Sequence, residues 1–272
     1  MNNKYAGKVA VITGSSRGIG KAIAIEFAQN GASVVLNGRD EERLKETAAL
    51  LVSEYTPNVL TVCSDVSTIE GGNELIQQTI DCFGRIDFLV NNVGVSMRGY
   101  VADLNPAVFK TVFDSNVLGT VNPTIPAIPH LRKTKGSIVF ISSLAGIRGL
   151  PSLSAYCSSK MALRAIAESI RIEEAKHQLH VGLIYVGITA IEHNKETIEA
   201  DGSKRVLKAR NQKNVQSTTH VAKSVLQNIQ RKKFVTVLTS LGKLNAYLQP
   251  RYPLAVEKII LRNLDKFEER SQ

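Results

Sequence analysis

Residues 8–31 read KVAVITGSSRGIGKAIAIEFAQNG, and this stretch decides the fold. A short apolar run rich in β-branched residues leads into a glycine-rich turn, and a longer run with the apolar spacing of an amphipathic helix follows. A strand, a tight turn and a helix in this order form the first part of a crossover between parallel strands. The glycines at positions 14, 18 and 20 would let the backbone approach a phosphate group at the helix N-terminus.

The same alternation of apolar runs and amphipathic segments continues along the chain. The further strand candidates are ASVVLNG, NVLTVCSD, RIDFLVNN, GSIVFISS, HVGLIYVG and KKFVTVLT. Continuously apolar strands are buried on both faces, and strands that alternate with helices form a parallel sheet covered on both sides. We therefore predict one α/β domain over residues 1–239, a Rossmann-type doubly wound sheet of about seven strands. A C-terminal helical extension is expected over residues 240–272.

The composition excludes several classes of protein. With 43% hydrophobic and 21% charged residues the chain has an ordinary globular balance. Its three cysteines lack CxxC spacing, so we expect no disulfide framework and no metal site, in a reducing cytoplasm. No apolar run reaches about 18 residues, so no spanning helix is expected. The net charge of +10 suits a phosphate cofactor, a lipid surface or nucleic acid, but the basic residues are dispersed and no nucleic-acid-binding motif accompanies them.

Three further motifs follow the glycine turn in order. They are NNVG at 91–94, the strand end FISSLAG at 140–146, and SAYCSSKMAL at 154–163, which contains Tyr156 and Lys160. Alone, a Tyr/Lys pair four residues apart is most often a solvated helix face. Together with TGSSRGIG, the motifs resemble those of the classical short-chain dehydrogenase/reductase family over nearly the whole chain. GVSMRG, EADGS and the C-terminal tail are similar to its branch of 11β-hydroxysteroid dehydrogenase-like and lipid-ketone reductases.

The resemblance implies that the protein interconverts a ketone and a secondary alcohol. It implies a catalytic group of Asn116, Ser143, Tyr156 and Lys160, in which Asn116 holds a water that links Lys160 to solvent. Reduction builds negative charge on the carbonyl oxygen, which needs a proton donor and a hydrogen bond. A tyrosine and a serine can supply them, and an ammonium one helical turn away favours the phenolate form. Ser142 is a rival of Ser143, and the family spacing selects Ser143.

The second predicted strand indicates which nicotinamide cofactor binds. A carboxylate at its end would accept a hydrogen bond from a ribose 2′-hydroxyl, whereas a 2′-phosphate needs cations. Gly38 stands at that position, Arg39 follows and Arg17 lies in the glycine turn, which favours NADP(H) over NAD(H). Asp40 is expected to cap the next helix. The expected cofactor-binding residues are Gly14, Ser16, Arg17, Gly18, Ile19, Gly20, Asn37, Gly38, Arg39, Asp65, Val66, Asn92, Gly94, Tyr156, Lys160, Gly187 and Thr189.

The sequence departs from the family pattern after the strand HVGLIYV. Val186 stands where the family usually has a proline, and Ile191 where it has a threonine near the nicotinamide. Thr189 is the candidate substitute. Residues 188–216 are expected to form a lid over the substrate. Arg98 and Arg148 are candidate contacts for an anionic substrate group, although exposed arginines on loops are more often only solvated. Met97, Leu144, Leu150 and Ile188 indicate an apolar substrate cavity.

The substrate implied by the resemblance is a hydrophobic ketone, such as a steroid, an acyl-dihydroxyacetone phosphate or 3-ketosphinganine. A homodimer or homotetramer is expected. The tail carries two apolar stripes at helical spacing, one of them bordered by Lys258, Arg262 and Lys266. They would pack on the domain or a second copy, or bind peripherally to an anionic membrane. A non-catalytic NADP-sensing or nucleic-acid-binding regulator on the same fold is the alternative function.

Overall fold

The main sheet has seven parallel strands, as predicted. The computed structural model describes residues 3–189, 196–207 and 215–264. The strands are β1 (Val9–Ile12), β2 (Ser33–Gly38), β3 (Val59–Cys63), β4 (Phe88–Asn91), β5 (Ser137–Ser143), β6 (His180–Val186), β7 (Glu196–Ile198), β8 (Lys204–Val206) and β9 (Val235–Val237). The order in the main sheet is β3-β2-β1-β4-β5-β6-β9, and each neighbouring pair is parallel. The order reverses between β1 and β4, where doubly wound sheets open a crevice.

Helices cover both faces of this sheet, which confirms the predicted fold class. They are α1 (Gly18–Gln29), α2 (Glu41–Glu54), α3 (Ile69–Phe83), α4 (Pro106–Phe113), α5 (Gly119–Thr134), α6 (Ser154–Glu173), α7 (Thr218–Gln230), α8 (Ser240–Leu248) and α9 (Pro253–Leu261). Ala10 and Ile12 of β1 pack with buried residues of α1, α2 and α7. Val9 and Val11 point the other way, into a core shared with α3, α5 and α6. Alternate residues of one buried strand therefore supply two cores.

The connections after β4 and β6 were harder to predict. A π-type turn, Asp114–Leu118, joins α4 to α5, and α5 contains three prolines. The strands β7 and β8 form an antiparallel hairpin inside the predicted lid, which the sequence analysis did not anticipate. Ile198 of this hairpin pairs with Met97. Two parts of the predicted lid, residues 190–195 with Ile191 among them and residues 208–214, lie outside the described residues.

Two further helices, α8 and α9, follow β9. Helix α8 starts at Ser240, and the Thr239 hydroxyl accepts a hydrogen bond of 2.9 Å from the Gly242 amide. In the second apolar stripe, which consists of Val256, Ile260, Leu264 and Phe267, Val256 is buried while Ile260 and Leu264 are half-buried. Lys266 and Phe267 lie outside the described residues. None of the helices in the described ranges is long and apolar enough to cross a membrane.

Candidate active site

The glycine turn lies between β1 and α1 and is tied to the end of β4. Gly14 and Gly18 have φ values of +61° and +58°, a region that favours glycine. The Thr13 hydroxyl accepts hydrogen bonds from the amides of Asn92 and Val93 at 2.9 and 3.2 Å. In return, the Asn92 side-chain amide donates to the carbonyl oxygens of Thr13 and Gly14. The first turn of α1 is therefore held at the crevice, where its backbone amides can receive phosphate.

Gly20, the third glycine of the motif, lies in the first turn of α1. It lies behind the turn rather than in the wall of the cavity. A Cβ atom at Gly20 would come within 2.2 Å of the Gly14 carbonyl oxygen and 2.7 Å of Asn92 Nδ2. Glycine is needed there because α1 packs directly against the turn. Gly20 thus supports the turn and does not line the site.

At the ends of β2 and β3 the predicted adenosine-side residues come together. Asn37 is fully buried, and its side-chain amide donates to the carbonyl oxygens of Val62 and Ser64 and to the Ser64 hydroxyl. These bonds fix the end of β2 against the end of β3. A Cβ atom at Gly38 would lie 3.3 Å from Ser16 Oγ, so the backbone of β2 approaches the glycine turn closely.

Arginines and carboxylates share this end of the cavity. Arg39 Nη1 lies 3.5 Å from Asp65 Oδ2, and Arg39 is largely exposed. Burial opposes ionisation of Asp65, but hydrogen bonds from Ser67 and the charge of Arg39 leave its pKa below the ordinary value. Asp40 caps α2 as predicted, since its carboxylate accepts from the Arg43 amide at 3.1 Å. Arg43 Nε also pairs with Asp40 Oδ2 at 3.1 Å.

The predicted catalytic residues lie at the other end of the same cavity. Tyr156 and Lys160 lie one turn apart on α6, and Lys160 Nζ is 6.0 Å from the centre of the Tyr156 ring. Lys160 is buried, and its ammonium donates to the Ile141 carbonyl oxygen at 3.1 Å. Ser143 ends β5, where its hydroxyl accepts a hydrogen bond of 3.2 Å from the Ala145 amide. An ammonium, a phenol and a hydroxyl therefore converge on the carboxyl edge of the sheet.

Asn116 lies behind this group, in the π-type turn. Its side chain is fully buried and donates to the Val95 carbonyl oxygen and the Ser159 hydroxyl at 3.0 and 2.9 Å. It also accepts from the Val95 amide at 2.7 Å. A Cβ atom at Gly94 would lie 3.0 Å from Asn116 Oδ1 and 3.1 Å from Lys160 Nζ. Asn116 and Lys160 are thus neighbours, although Asn116 does not line the cavity.

One elongated cavity of about 480 Å³ joins the two ends. Except for Gly20 and Asn116, every residue predicted as catalytic or cofactor-binding lines it. The lining residues that were predicted are Gly14, Ser16, Arg17, Gly18, Ile19, Asn37, Gly38, Arg39, Asp65, Val66, Asn92, Gly94, Ser143, Tyr156, Lys160, Gly187 and Thr189. A glycine turn at one end and proton-transfer groups at the other suit a long phosphate-containing cofactor that meets its substrate beside Tyr156.

Cys157 lies next to Tyr156 but is not a candidate nucleophile. It is buried, and this burial raises the pKa of its thiol against the opposing effects of the Leu150 backbone and Arg98. A thiol in such surroundings stays protonated and unreactive near neutral pH. Tyr156 and Lys160 remain the predicted catalytic residues of this stretch of α6.

On the substrate side, Met97 and Arg148 have surroundings other than those expected from the sequence. Met97 was expected to line an apolar cavity, but it is fully buried under the β7–β8 hairpin with Val108, Ala155 and Ile198. The guanidinium of Arg148 donates to Gln249 Oε1 at 3.1 Å, so it links the turn after β5 to the end of α8. Ile188 is exposed and lies in sequence between the lining residues Gly187 and Thr189.

Comparison with known proteins agrees with this arrangement. Residues 8–202 match the family model described as short chain dehydrogenase. The chain belongs to the short chain dehydrogenase family. The family that the motifs predicted is thereby confirmed.

The relatives of this short chain dehydrogenase include steroid dehydrogenase-like proteins. The 11-beta-hydroxysteroid dehydrogenase-like protein 4A of Arabidopsis thaliana is 39% identical over 188 residues, which span 69% of this chain and 62% of the relative's length. Dehydrogenase/reductase SDR family member 7B of Bos taurus is 33% identical over 252 residues, 90% of this chain and 78% of the relative. The first of these names belongs to the branch that the sequence indicated.

A solved structure shows the same fold with a cofactor analogue. The alcohol dehydrogenase of the archaeon Thermococcus sibiricus, complexed with 5-hydroxy-NADP, superposes with a TM-score of 0.74 at 26% identity. The match covers 85% of this chain and 95% of the archaeal one. A nicotinamide-type cofactor is thus bound by a protein of this architecture.

Several cavity residues of the short chain dehydrogenase were not predicted from the sequence. Arg43, Ser96 and Thr218 line the cavity. Arg43 could have been found, because it lies one turn beyond the predicted cap Asp40 and so faces the same end of the sheet. Ser96 and Thr218 are brought to the cavity by tertiary structure, and no local pattern marks them.

Proposed function

We propose that the protein is an NADP(H)-dependent oxidoreductase that interconverts a hydrophobic ketone and its secondary alcohol. The observation that carries this proposal is the convergence of Ser143, Tyr156 and Lys160 on one cavity with the glycine turn. A regulator that only binds the cofactor would have no use for a buried ammonium beside a phenol. NADPH, when bound, would supply the hydride.

The residues of this chain would supply the rest of the chemistry. The Tyr156 hydroxyl donates its proton to the carbonyl oxygen as negative charge develops there. The Ser143 hydroxyl donates a hydrogen bond to the same oxygen. Lys160 favours the phenolate that remains on Tyr156, and Asn116 supports Lys160 from behind Gly94. In the oxidative direction Tyr156 takes the proton from the alcohol.

The preference for NADP(H) is supported by the charges beside Gly38. Arg17 and Arg39 line the cavity with Arg43, and Gly38 leaves no carboxylate at the end of β2. Guanidinium groups form charge-assisted hydrogen bonds with phosphate oxygens. Asp65 is paired with Arg39 and hydrogen-bonded by Ser67, which reduces its repulsion of a 2′-phosphate and suits it to a place beside the adenine. The residues present therefore fit an NADP-type dinucleotide.

A hydrophobic substrate is supported by the exposed Ile188, the half-buried Leu144 beside Ser143, and the names of the steroid dehydrogenase-like relatives. A steroid and a lipid ketone such as 3-ketosphinganine both have this character. We place the reaction in the cytoplasm, with substrate reaching the cavity past Ile188 and the β7–β8 hairpin.

We also propose a role for the exposed apolar surface of α8. Leu241 and Leu244 are 75% and 52% exposed, and Tyr247 lies on the same helix. Such a surface is unusual unless it is covered. Packing against a second copy in a homodimer or homotetramer is the favoured role. Peripheral binding to an anionic membrane, assisted by Lys258 and Arg262 on the following segment, is the alternative.

The experiment that tests the proposed activity is a panel of hydrophobic ketones scored by NADPH oxidation. Steroid ketones, long-chain lipid ketones and small ketones of equal concentration should be compared, with NADH run in parallel. We expect ketone-dependent oxidation that is fastest with the hydrophobic members. A protein that binds NADPH but oxidises it with none of them would instead be a cofactor-binding regulator.

A further inference from the structure

The backbone that follows β6 forms part of the catalytic end of the cavity. Ser143 of β5 pairs in register with Val186 of β6, so Gly187 emerges beside the catalytic serine. Gly187 and Thr189 both line the cavity. Their backbone therefore helps to shape this part of the cavity wall. Val186 lacks the fixed φ that a proline would give this point.

The chain leaves this wall at Ile188 and returns to it at Gln216. The Gln216 amide donates to the Ile188 carbonyl oxygen at 2.8 Å. Thr189 and Gln216 also form an isolated parallel bridge. Gln216, the last residue of the segment 188–216 that was predicted as a lid, therefore holds the two ends of that segment together.

The side chain of Gln216 makes two more bonds. Its oxygen Oε1 accepts from the Gly187 amide at 3.0 Å, and its nitrogen Nε2 donates to the Leu238 carbonyl oxygen at 3.2 Å. A carboxamide is suited to this position because it offers an acceptor and a donor in one planar group. Gln216 thus joins the end of β6 to the end of β9, which leads into α8.

The space around Gly187 is too small for a side chain at this position. A Cβ atom at this position would lie 2.7 Å from Thr239 Cγ2 and 3.0 Å from Gln216 Oε1. The segment is therefore confined by Thr239 on one side and tethered by Gln216 on the other. Loss of the tether would free the Gly187 amide and let the cavity wall shift.

We propose that Gln216 is a positioning residue, which holds the Gly187–Thr189 backbone in the place where it orients the reacting end of the cofactor. The effect on catalysis that we infer rests on the proposed function. The tether itself is a property of the protein without cofactor, so it can be measured separately.

The decisive variant is Gln216→Met, which keeps the length of the side chain and removes both of its hydrogen bonds. Gln216→Glu keeps an acceptor for the Gly187 amide and loses the donor to Leu238. The matched control is Gln230→Met, which removes the 3.3 Å bond from Gln230 Nε2 to Tyr5 Oη far from the cavity. Hydrogen exchange of the Gly187 amide, kcat, KM for NADPH and the thermal midpoint are measured for each.

We expect Gln216→Met to speed exchange at Gly187 about tenfold or more, since a protecting hydrogen bond is lost. It should lower kcat about tenfold while its thermal midpoint stays close to that of Gln230→Met. Gln216→Glu should keep most of the protection and more of kcat than the methionine variant. Gln230→Met should resemble the wild type in exchange at Gly187 and in kcat.

Unchanged exchange at Gly187 in Gln216→Met would overturn the tether, and a kcat equal to that of Gln230→Met would overturn its positioning role. If the wild-type protein oxidises NADPH with no ketone, the exchange comparison still decides the tether. That result would count against the proposed function and against the catalytic consequence drawn from it.

Discussion

The Ser142 hydroxyl donates to the backbone carbonyl oxygen of Lys160 at 3.1 Å, whereas the next residue, Ser143, lies half-buried at the cavity. The bond ties the end of β5 to α6 at Lys160, the proposed catalytic lysine. The two adjacent serines, of which the family spacing selects Ser143, thus have different surroundings. Ser142 is engaged within the protein, and Ser143 is the one suited to bind a substrate oxygen.

This difference makes the two serines a matched pair for mutation. We expect Ser143→Ala to lower kcat/KM about 10²-fold, because a donor to the developing oxyanion is lost. Ser142→Ala should instead destabilise the fold by about 1 kcal/mol, the value of one hydrogen bond. Steady-state kinetics and urea unfolding of both variants test this. Equal activity losses in the two variants would contradict the assignment of Ser143.

The cofactor preference should depend on the end of β2. Gly38→Asp with Arg39→Leu is expected to shift the NADPH/NADH ratio of kcat/KM toward NADH by about tenfold to a hundredfold. A carboxylate repels the 2′-phosphate, and a charge-assisted hydrogen bond worth about 1.5–3 kcal/mol is lost. Gly38→Ala is the control, because any added Cβ must fit 3.3 Å from Ser16 Oγ. An unchanged ratio would assign the preference to Arg17 or Arg43.

The ion pair between Glu174 and Arg132 predicts a pH dependence of stability. Hydrogen bonds of 2.6 and 2.7 Å from Arg132, opposed by burial, hold the pKa of Glu174 below its ordinary value. Its contribution to stability is therefore present above the unfolded pKa of about 4.3 and is lost as the pH falls through the folded pKa.

Glu174→Gln should accordingly lower the urea midpoint at pH 7, and its difference from the wild type should shrink below about pH 4. Urea titrations from pH 7 to pH 3 measure this. Glu168→Gln, which breaks an exposed pair with Arg164, should have little effect at any of these pH values. A Glu174→Gln difference that stays constant down to pH 3 would refute the linkage.

The apolar surface of α8 can be tested with two double variants. Leu241→Asn with Leu244→Asn should lower the molar mass in solution if this surface packs against a second copy. Lys258→Glu with Arg262→Glu should leave that mass unchanged. Light scattering reports the mass, and sedimentation with anionic liposomes at low salt reports the alternative. Membrane binding would be favoured instead by two results together. The wild type would sediment with the liposomes and the charge-reversal variant would not, and the leucine variant would keep the molar mass of the wild type.

Much of the fold was predictable because buried parallel strands are continuous apolar runs. The runs around Val35, Val90 and Ile184 each became a strand of the sheet. The β7–β8 hairpin was missed because three-residue strands are too short to show a period. Helix α5 interrupts its apolar pattern with Pro123, Pro126 and Pro129, residues that ordinarily disfavour a helix interior.

The site was predictable where the sequence motifs place residues at the end of a strand or in the helix that follows it. Gly14, Ser143 and Tyr156 reach the cavity through the local strand–turn–helix geometry that the motifs encode. The position of Gly20 behind the turn and the tether by Gln216 depend on packing between distant segments. A single sequence carries no signal for such contacts, and their assignment needed the structure.

The most direct test of the proposed chemistry is Tyr156→Phe, which removes the proton donor and leaves the ring. NADPH-dependent reduction of the best ketone should fall below detection, while NADPH still binds with nearly the wild-type dissociation constant by fluorescence titration. Reduction at close to the wild-type rate in the phenylalanine variant would contradict the central claim, because the proton would then come from another group.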